Sequence, residues 1–443
     1  MKKLRIFAVM LLLATLLVGC SGGDETIESG NFKLLSSFDK ASFDMFYGGG
    51  LYEQSHADDE VTYVNSSELV APADWEGYLK LLDSEKPDVI AISSLFDYYK
   101  LVSSGLLLDM NSLTRKEKLD LNAIQPSVLS LLKYPGEPNE LYGLSPFFDP
   151  SALYYNKSMF DKYGIPLPKD GMTWGDMLQL ASRFPNKADD GRQIYGYHHR
   201  EFSTPGYYLD YFSSIEGLSL FEGNRLTLDK AEWRPLLERL IQAFSTQSMS
   251  FAANDGEVRM GDTEANGETP FLEGRVAMFS APAALMEKLD QNNAPFEWGV
   301  VSQTVSLDHR KSWPYYPSPI YAIYRDARNT DAAWRYVHYM NETPTLKLLS
   351  KSVPQLSSHT DVGTERYGRS LQPFYETKVV PPSMAALETP SLIPPFFLSQ
   401  TLNPIINREV AAALDGQKSL EEILQSIQQE GQAAFDLVLF EAE

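Results

Sequence analysis

Leu141-Tyr-Gly-Leu-Ser-Pro146, Ala152-Leu-Tyr-Tyr-Asn-Lys157, Met159-Phe-Asp-Lys-Tyr-Gly-Ile-Pro166 and Thr173-Trp-Gly-Asp176 follow one another in quick succession. Within this stretch Ser158 starts a short helix and Gly164 stops it, because glycine accepts the left-handed backbone that ends a helix. Pro166 and Pro168 then prevent resumption, since proline has no N–H to give. Thr173 and Asp176 form a capping box ahead of Met177, Leu178, Leu180 and Ala181.

Toward the amino terminus, strands and helices alternate. Phe32 to Ser37 and Val61 to Val64 read as short strands, and Asp88-Val-Ile-Ala-Ile-Ser93 as a buried one. Asp74 caps an intervening helix with Trp75, Tyr78, Leu79 and Leu82 on one face. This rhythm is that of a mostly parallel sheet covered by helices. Toward the carboxyl terminus the signals are helical. Trp233, Leu236, Leu237, Leu240, Ile241 and Phe244 form one stripe, with Pro235 in the first turn. Thr330 is expected to cap a helix carrying Ala333, Trp334, Val337 and Met340. Ser419 and Glu422 form a capping box for a final helix with Leu420, Ile423, Leu424, Ile427 and Phe435 along one side. The Pro-rich run from Val380 to Pro395 reads as a surface connection.

The first twenty residues have a different character. Lys2, Lys3 and Arg5 precede an uncharged apolar run from Ile6 to Val18, too short to span a bilayer comfortably. It ends at Leu17-Val18-Gly19-Cys20, which resembles the lipobox of bacterial lipoproteins. Residues 1–20 are therefore expected to be a signal peptide and Cys20 the lipidated residue, with residues 21–31 a polar tether. Cys20 is the only cysteine, so no intramolecular disulfide, thiol nucleophile or cysteine metal site is available.

The remaining body, roughly 410 residues, is too long for one core and suggests two lobes. At 43% apolar and 12% aromatic it is not a disordered chain. Losing Lys2, Lys3 and Arg5 with the signal takes the net charge from −21 to about −24, which argues against a nucleic-acid partner.

The ordered motifs of the opening stretch resemble those of sugar-type extracellular solute-binding proteins of ATP-binding-cassette importers, the class containing maltose-binding protein. Pro87-Asp88-Val89-Ile90, Gly105-Leu-Leu-Leu-Asp109, Phe271-Leu-Glu-Gly-Arg-Val-Ala-Met278 and Ala333-Trp334 add to the likeness. The resemblance implies an α/β fold: a two-lobed periplasmic-binding-protein-like clamp hinged between its lobes. It implies chain crossings near Ser145–Pro150, Ser302–Trp313 and Val353–Thr360. Lobe 1 is then 32–147 with 312–355, and lobe 2 is 148–311 with 356–443. It further implies a monomer that captures a sugar or oligosaccharide and delivers it to permease subunits of an ABC importer. No cofactor and no catalytic residue are expected. With the lipid on Cys20 in the bilayer, the protein would sit on the extracytoplasmic face of the cell membrane, as in Gram-positive bacteria. Two positions depart from the family pattern. The chain reads Ser280-Ala-Pro-Ala283 where a Gly-x-Trp is common, and the first strand lacks a Trp-Gly ending.

In open α/β lobes ligands meet the loops at the carboxyl ends of strands. Those loops are aromatic and acidic, which suits a sugar: C–H faces pack on rings and hydroxyls donate to carboxylates. The expected contacts are Phe38 and Asp39, Phe96 and Asp97, and Phe148 and Asp149, the last pair taken as exposed cleft residues. Trp313 and Tyr315 on the second crossing, and Tyr207 on the second lobe near Tyr208 and Asp210, complete the set.

Asp262 to Glu273 nearly matches a calcium loop, but Pro270 stands at position nine, and no metal is expected. His198-His199 is read as a solvated loop whose adjacent side chains diverge too far to share an ion. Two readings from other classes stay open at this point. One is a surface polysaccharide-degrading enzyme, because 59 acidic residues allow many carboxylate pairs, although no nucleophile elbow, zinc signature or phosphate loop occurs. The other is a ligand sensor docking on a membrane kinase.

Overall fold

Three short, largely apolar runs become parallel strands, β1 (Phe32–Ser36), β2 (Val61–Asn65) and β3 (Val89–Ile92), the last two rich in β-branched residues. They belong to a computed structural model that describes residues 30–71, 74–200, 204–249, 267–308, 317–376, 379 and 397–442. Every residue of β3 is buried, as a strand covered by helices on both faces requires. The first sheet has the order β2-β1-β3-β12-β4, where β4 is Gly143–Leu144 and β12 is Ile320–Ile323. β12 runs antiparallel to both neighbours, with Ile320 opposite Ile92 and Tyr321 opposite Leu144.

The second sheet has the order β11-β6-β10-β7 and comprises β6 (Ser151–Asn156), β7 (Tyr195–His199), β10 (Val276–Pro282) and β11 (Trp298–Val301). β7 lies parallel to β10, and β6 is antiparallel to β10 and β11. A small hairpin, β8 (Phe221–Glu222) with β9 (Arg225–Leu226), stands apart. Between the two sheets β5 (Phe147–Phe148) pairs with β13 (Leu356–Ser357), and Phe148 also bridges to Pro317. Three separate passages of the chain thus lie side by side where one lobe gives way to the other. Ser145 Oγ ties two of them, lying 2.8 Å from Phe147 O and 2.7 Å from Pro319 O. Ser358 N donates to Pro146 O at 2.8 Å and ties in the third.

Helix ends follow local chemistry. The Asp74 carboxylate accepts from Gly77 N at 2.8 Å and caps Trp75–Glu85. Thr173 and Asp176 make the reciprocal capping box of Trp174–Ala181, and Ser419 with Glu422 does the same for Leu420–Ala442. Two caps differ from expectation by a residue or two. Asn156, still extended, caps Lys157–Tyr163 in place of Ser158, and Gly164 ends that helix at φ 64°. Asn329 caps Thr330–Asn341 by accepting from Ala332 N, so Thr330 is already the first helical residue.

One core gathers the first sheet, its helices and the Tyr154–Phe279 side of the second sheet. Another, around Trp174, Tyr208, Phe244 and Ile427, holds the outer helices to the opposite side of the second sheet. Among the described residues no helix is long and apolar enough to cross a membrane. Cys20, Trp313, Tyr315 and the 380–395 connection lie outside the described residues.

Candidate ligand-binding cleft

Strand direction decides which side chains meet. β1, β2 and β3 end on the same edge of the first sheet, β12 enters from that edge, and β4 leaves by it into β5. In the second sheet β7, β10 and β11 end, and β6 begins, on the edge adjoining β5. The two edges therefore face one another across the paired connections, the place where open α/β lobes take ligands.

The first edge is a row of small hydroxyls. Ser67 Oγ donates to Ser37 O at 2.7 Å and Ser37 Oγ to Ser93 Oγ at 3.1 Å. Phe38 is half-buried there, its ring 4.8 Å from that of Tyr47, and Tyr63 Oη donates to its carbonyl at 2.9 Å. The exposed Asp39 caps the Lys40–Tyr47 helix, and hydrogen bonds from Ser42 hold its carboxyl below the usual range. Phe96 is half-buried near Trp75. Lys100 Nζ lies 4.3 Å from the Trp75 ring centre and 6.0 Å from that of Phe96. Neighbouring Asp97 is exposed as a residue, yet surrounding protein raises its carboxyl against the pull of Ser94 and Lys100.

On the second edge Arg200 N donates to Ser280 O at 3.0 Å. Its guanidinium stands 3.4 Å from buried Glu268, which also takes Lys288. The Pro205–Glu216 helix leaves this edge with Tyr207 and Asp210 half-buried on one face. Burial alone pushes the Asp210 carboxyl up to about 6. Tyr208, by contrast, is wholly buried, with its hydroxyl 3.2 Å from His199 N.

His198 and His199 are not on a solvated loop. Both are 1% exposed, because they end β7 beneath the Tyr208 and Tyr211 rings. Burial depresses both imidazoles, His198 to about 4. Of the calcium-like run, 262–266 lie outside the described residues, whereas Glu268–Leu272 is helical and Glu273 pairs with Arg275. Among the described residues no group of three metal-ligating side chains comes together.

Between the edges Phe148 is fully buried, not exposed. Pairing on one side with Leu356 and on the other with Pro317 leaves its ring against Tyr375. Asp149 next to it is exposed, and its charge acts on the phenols of Tyr47 from the first lobe and Tyr154 from the second. Arg200 and Arg366 also act on Tyr154. Asp149 thus acts on Tyr47, whose ring meets that of Phe38, and on Tyr154, on which Arg200 also acts, while Phe96 and Asp97 stand on a second patch beside Trp75. Trp75, at the capped helix start, looks from its spacing like one more member of a core stripe, and Arg200 carries no sequence signal because it stands just past a strand end that periodicity does not reveal.

A family model described as bacterial extracellular solute-binding protein matches residues 37–345. Among solved structures, the sugar-binding protein MalE from Xanthomonas citri is similar with TM-score 0.65 and 14% identity, covering 93% of this chain and 100% of that one. An ABC substrate-binding protein from Listeria monocytogenes, solved in complex with cycloalternan, aligns with TM-score 0.58 and 17% identity over 92% of this chain and 99% of that one. The GacH receptor of Streptomyces glaucescens, studied unliganded and with acarbose, aligns with TM-score 0.56 and 18% identity, covering 92% and 98%.

Proposed function

Because this chain belongs to the bacterial extracellular solute-binding protein family, we propose that it captures a sugar or oligosaccharide between its lobes and passes it unaltered to the permease of an ABC importer. The observation that carries this reading is the meeting of the two strand edges across three side-by-side chain passages. Such passages bend more easily than packed sheets, so the lobes can close on a solute that touches both. The lining suits a polyol: serine hydroxyls, the rings of Phe38, Tyr47 and Phe96, and the carboxylates of Asp39, Asp97 and Asp149. Tyr207 joins from the second lobe, and Trp313 and Tyr315 from the second crossing. The sugar ligands of the similar MalE, Listeria and Streptomyces proteins agree with that lining.

The lobes divide as 32–147 with 312–355 and 148–311 with 356–443. The body is held at the extracytoplasmic face of the cell membrane by a lipid on Cys20, after removal of residues 1–20. Calorimetry against an oligosaccharide array spanning glucans, xylans, mannans and galactans, with mass spectrometry of the recovered sugar, tests the reading. Saturable binding with intact sugar is expected. No binding across the array, or cleavage of a sugar that does bind, would overturn it.

A further inference from the structure

The second edge carries a polar group that its own neighbours do not satisfy. Gln303 follows β11 by two residues, and its side chain reaches past the start of β6 to Ser280 of β10. Counting on from Val301 opposite Leu153 puts position 303 level with Ser151, two residues from Asp149. Ser280 Oγ donates to Gln303 Oε1 at 3.1 Å, and Thr304 N donates to the same oxygen at 3.1 Å. A backbone N–H can only donate, so the atom it meets must be the oxygen, and the orientation of the carboxamide is fixed. Tyr197 Oη lies 3.1 Å from Ser280 Oγ and completes a relay directed toward Gln303.

The amide nitrogen therefore points the other way. Gln303 is 3% exposed and Thr304 1%, yet Gln303 Nε2 and Thr304 Oγ1 meet no partner among the described residues. An enclosed donor without an acceptor is costly, and native proteins keep few of them. Two hydrogen bonds also hold this one rigid, which removes the rotamer entropy a flexible donor would lose on binding. A fixed donor beside the hinge, lacking only an acceptor, is what selective recognition of a ligand oxygen requires.

We infer that the Gln303 carboxamide, with the Thr304 hydroxyl beside it, is a recognition site of the second lobe that takes a hydroxyl or ring oxygen of the bound saccharide. This rests on the saccharide reading above and adds to it a residue that discriminates between sugars. Gln303→Glu keeps the shape and the accepting oxygen but removes the donor. Gln303→Met removes both polar atoms and keeps the length.

The test is calorimetry of wild type and both variants with each array oligosaccharide that binds wild type, alongside the melting temperature of unliganded protein. The expected result is at least a tenfold weaker affinity in both variants, with a changed preference among sugars differing at one hydroxyl. Wild-type affinity in Gln303→Met overturns the inference even if its melting temperature falls, since the amide then serves only the second-lobe fold. If wild type binds nothing in the array, the saccharide reading fails and this inference fails with it.

Discussion

The ring of Phe148, on the strand between the lobes, meets Tyr375 edge-on, with centroids 5.4 Å apart and planes at 62°. Tyr375 Oη in turn donates to Ser357 O at 3.0 Å, on the strand paired with Phe148. The contact joins two of the three passages between lobes to each other. Phe148→Ala should leave a cavity there and cost about 3–5 kcal/mol of unliganded stability. Urea denaturation checks it; an unchanged midpoint would mean that the ring is not part of the hinge core.

Asp149, one residue on, is expected to behave differently. Its exposed carboxylate acts on the Tyr47 and Tyr154 phenols through its charge and belongs to neither core. Asp149→Ala should therefore cost clearly less unliganded stability than Phe148→Ala, because removing an exposed carboxylate leaves no cavity. It should weaken saccharide binding by at least tenfold in calorimetry. Full affinity in the variant would remove Asp149 from the site.

This adjacent pair shows what the sequence could and could not convey. Aromatic and acidic residues at a chain crossing were legible from their order, and so were the strands, the Thr173 and Ser419 capping boxes and the Gly164 stop, all set by local chemistry. Burial of Phe148 was not, because it depends on Leu356, Pro317 and Tyr375, about 170 to 230 residues away in sequence. The same reason hides the insertion of β12 between β3 and β4, and the burial of His198-His199 at the end of β7.

The buried histidine gives a pH dependence. His198 has its pKa lowered from 6.5 to about 4 by burial. The unfolded chain therefore takes up a proton more readily than the folded one between those values. The stabilising contribution is fully present above pH 6.5 and is lost as pH falls toward 4, roughly 3 kcal/mol in all. His198→Gln should flatten the decline in stability measured by urea unfolding from pH 7 to pH 4. An identical slope in both proteins would show that His198 does not drive it.

Asp210 has the opposite sign. Burial raises its carboxyl from 3.8 to about 6, so at pH 7 the folded protein carries an ionised group it disfavours. Asp210→Asn should stabilise unliganded protein at pH 7 by about 1–3 kcal/mol, a gain that shrinks as pH falls below 6 and vanishes below the unfolded value. Thermal melts across that range decide it; a pH-independent gain would trace the effect to packing.

The proposed anchor is tested by Cys20→Ala, which should move the protein from the membrane fraction to the soluble one, since the thioether-linked lipid supplies the apolar burial that retains it. Unchanged membrane association would require another anchor.

Small-angle scattering with and without a saturating oligosaccharide that binds in the array shows whether a saccharide draws the two lobes together. The radius of gyration should fall with sugar, because only the closed arrangement contacts it from both edges and binding shifts the population toward closure. Stability should rise at the same time by about 2.7 kcal/mol at a hundredfold excess over Kd. A radius of gyration unchanged at saturation, with the sugar demonstrably bound, would contradict capture by closure between the lobes.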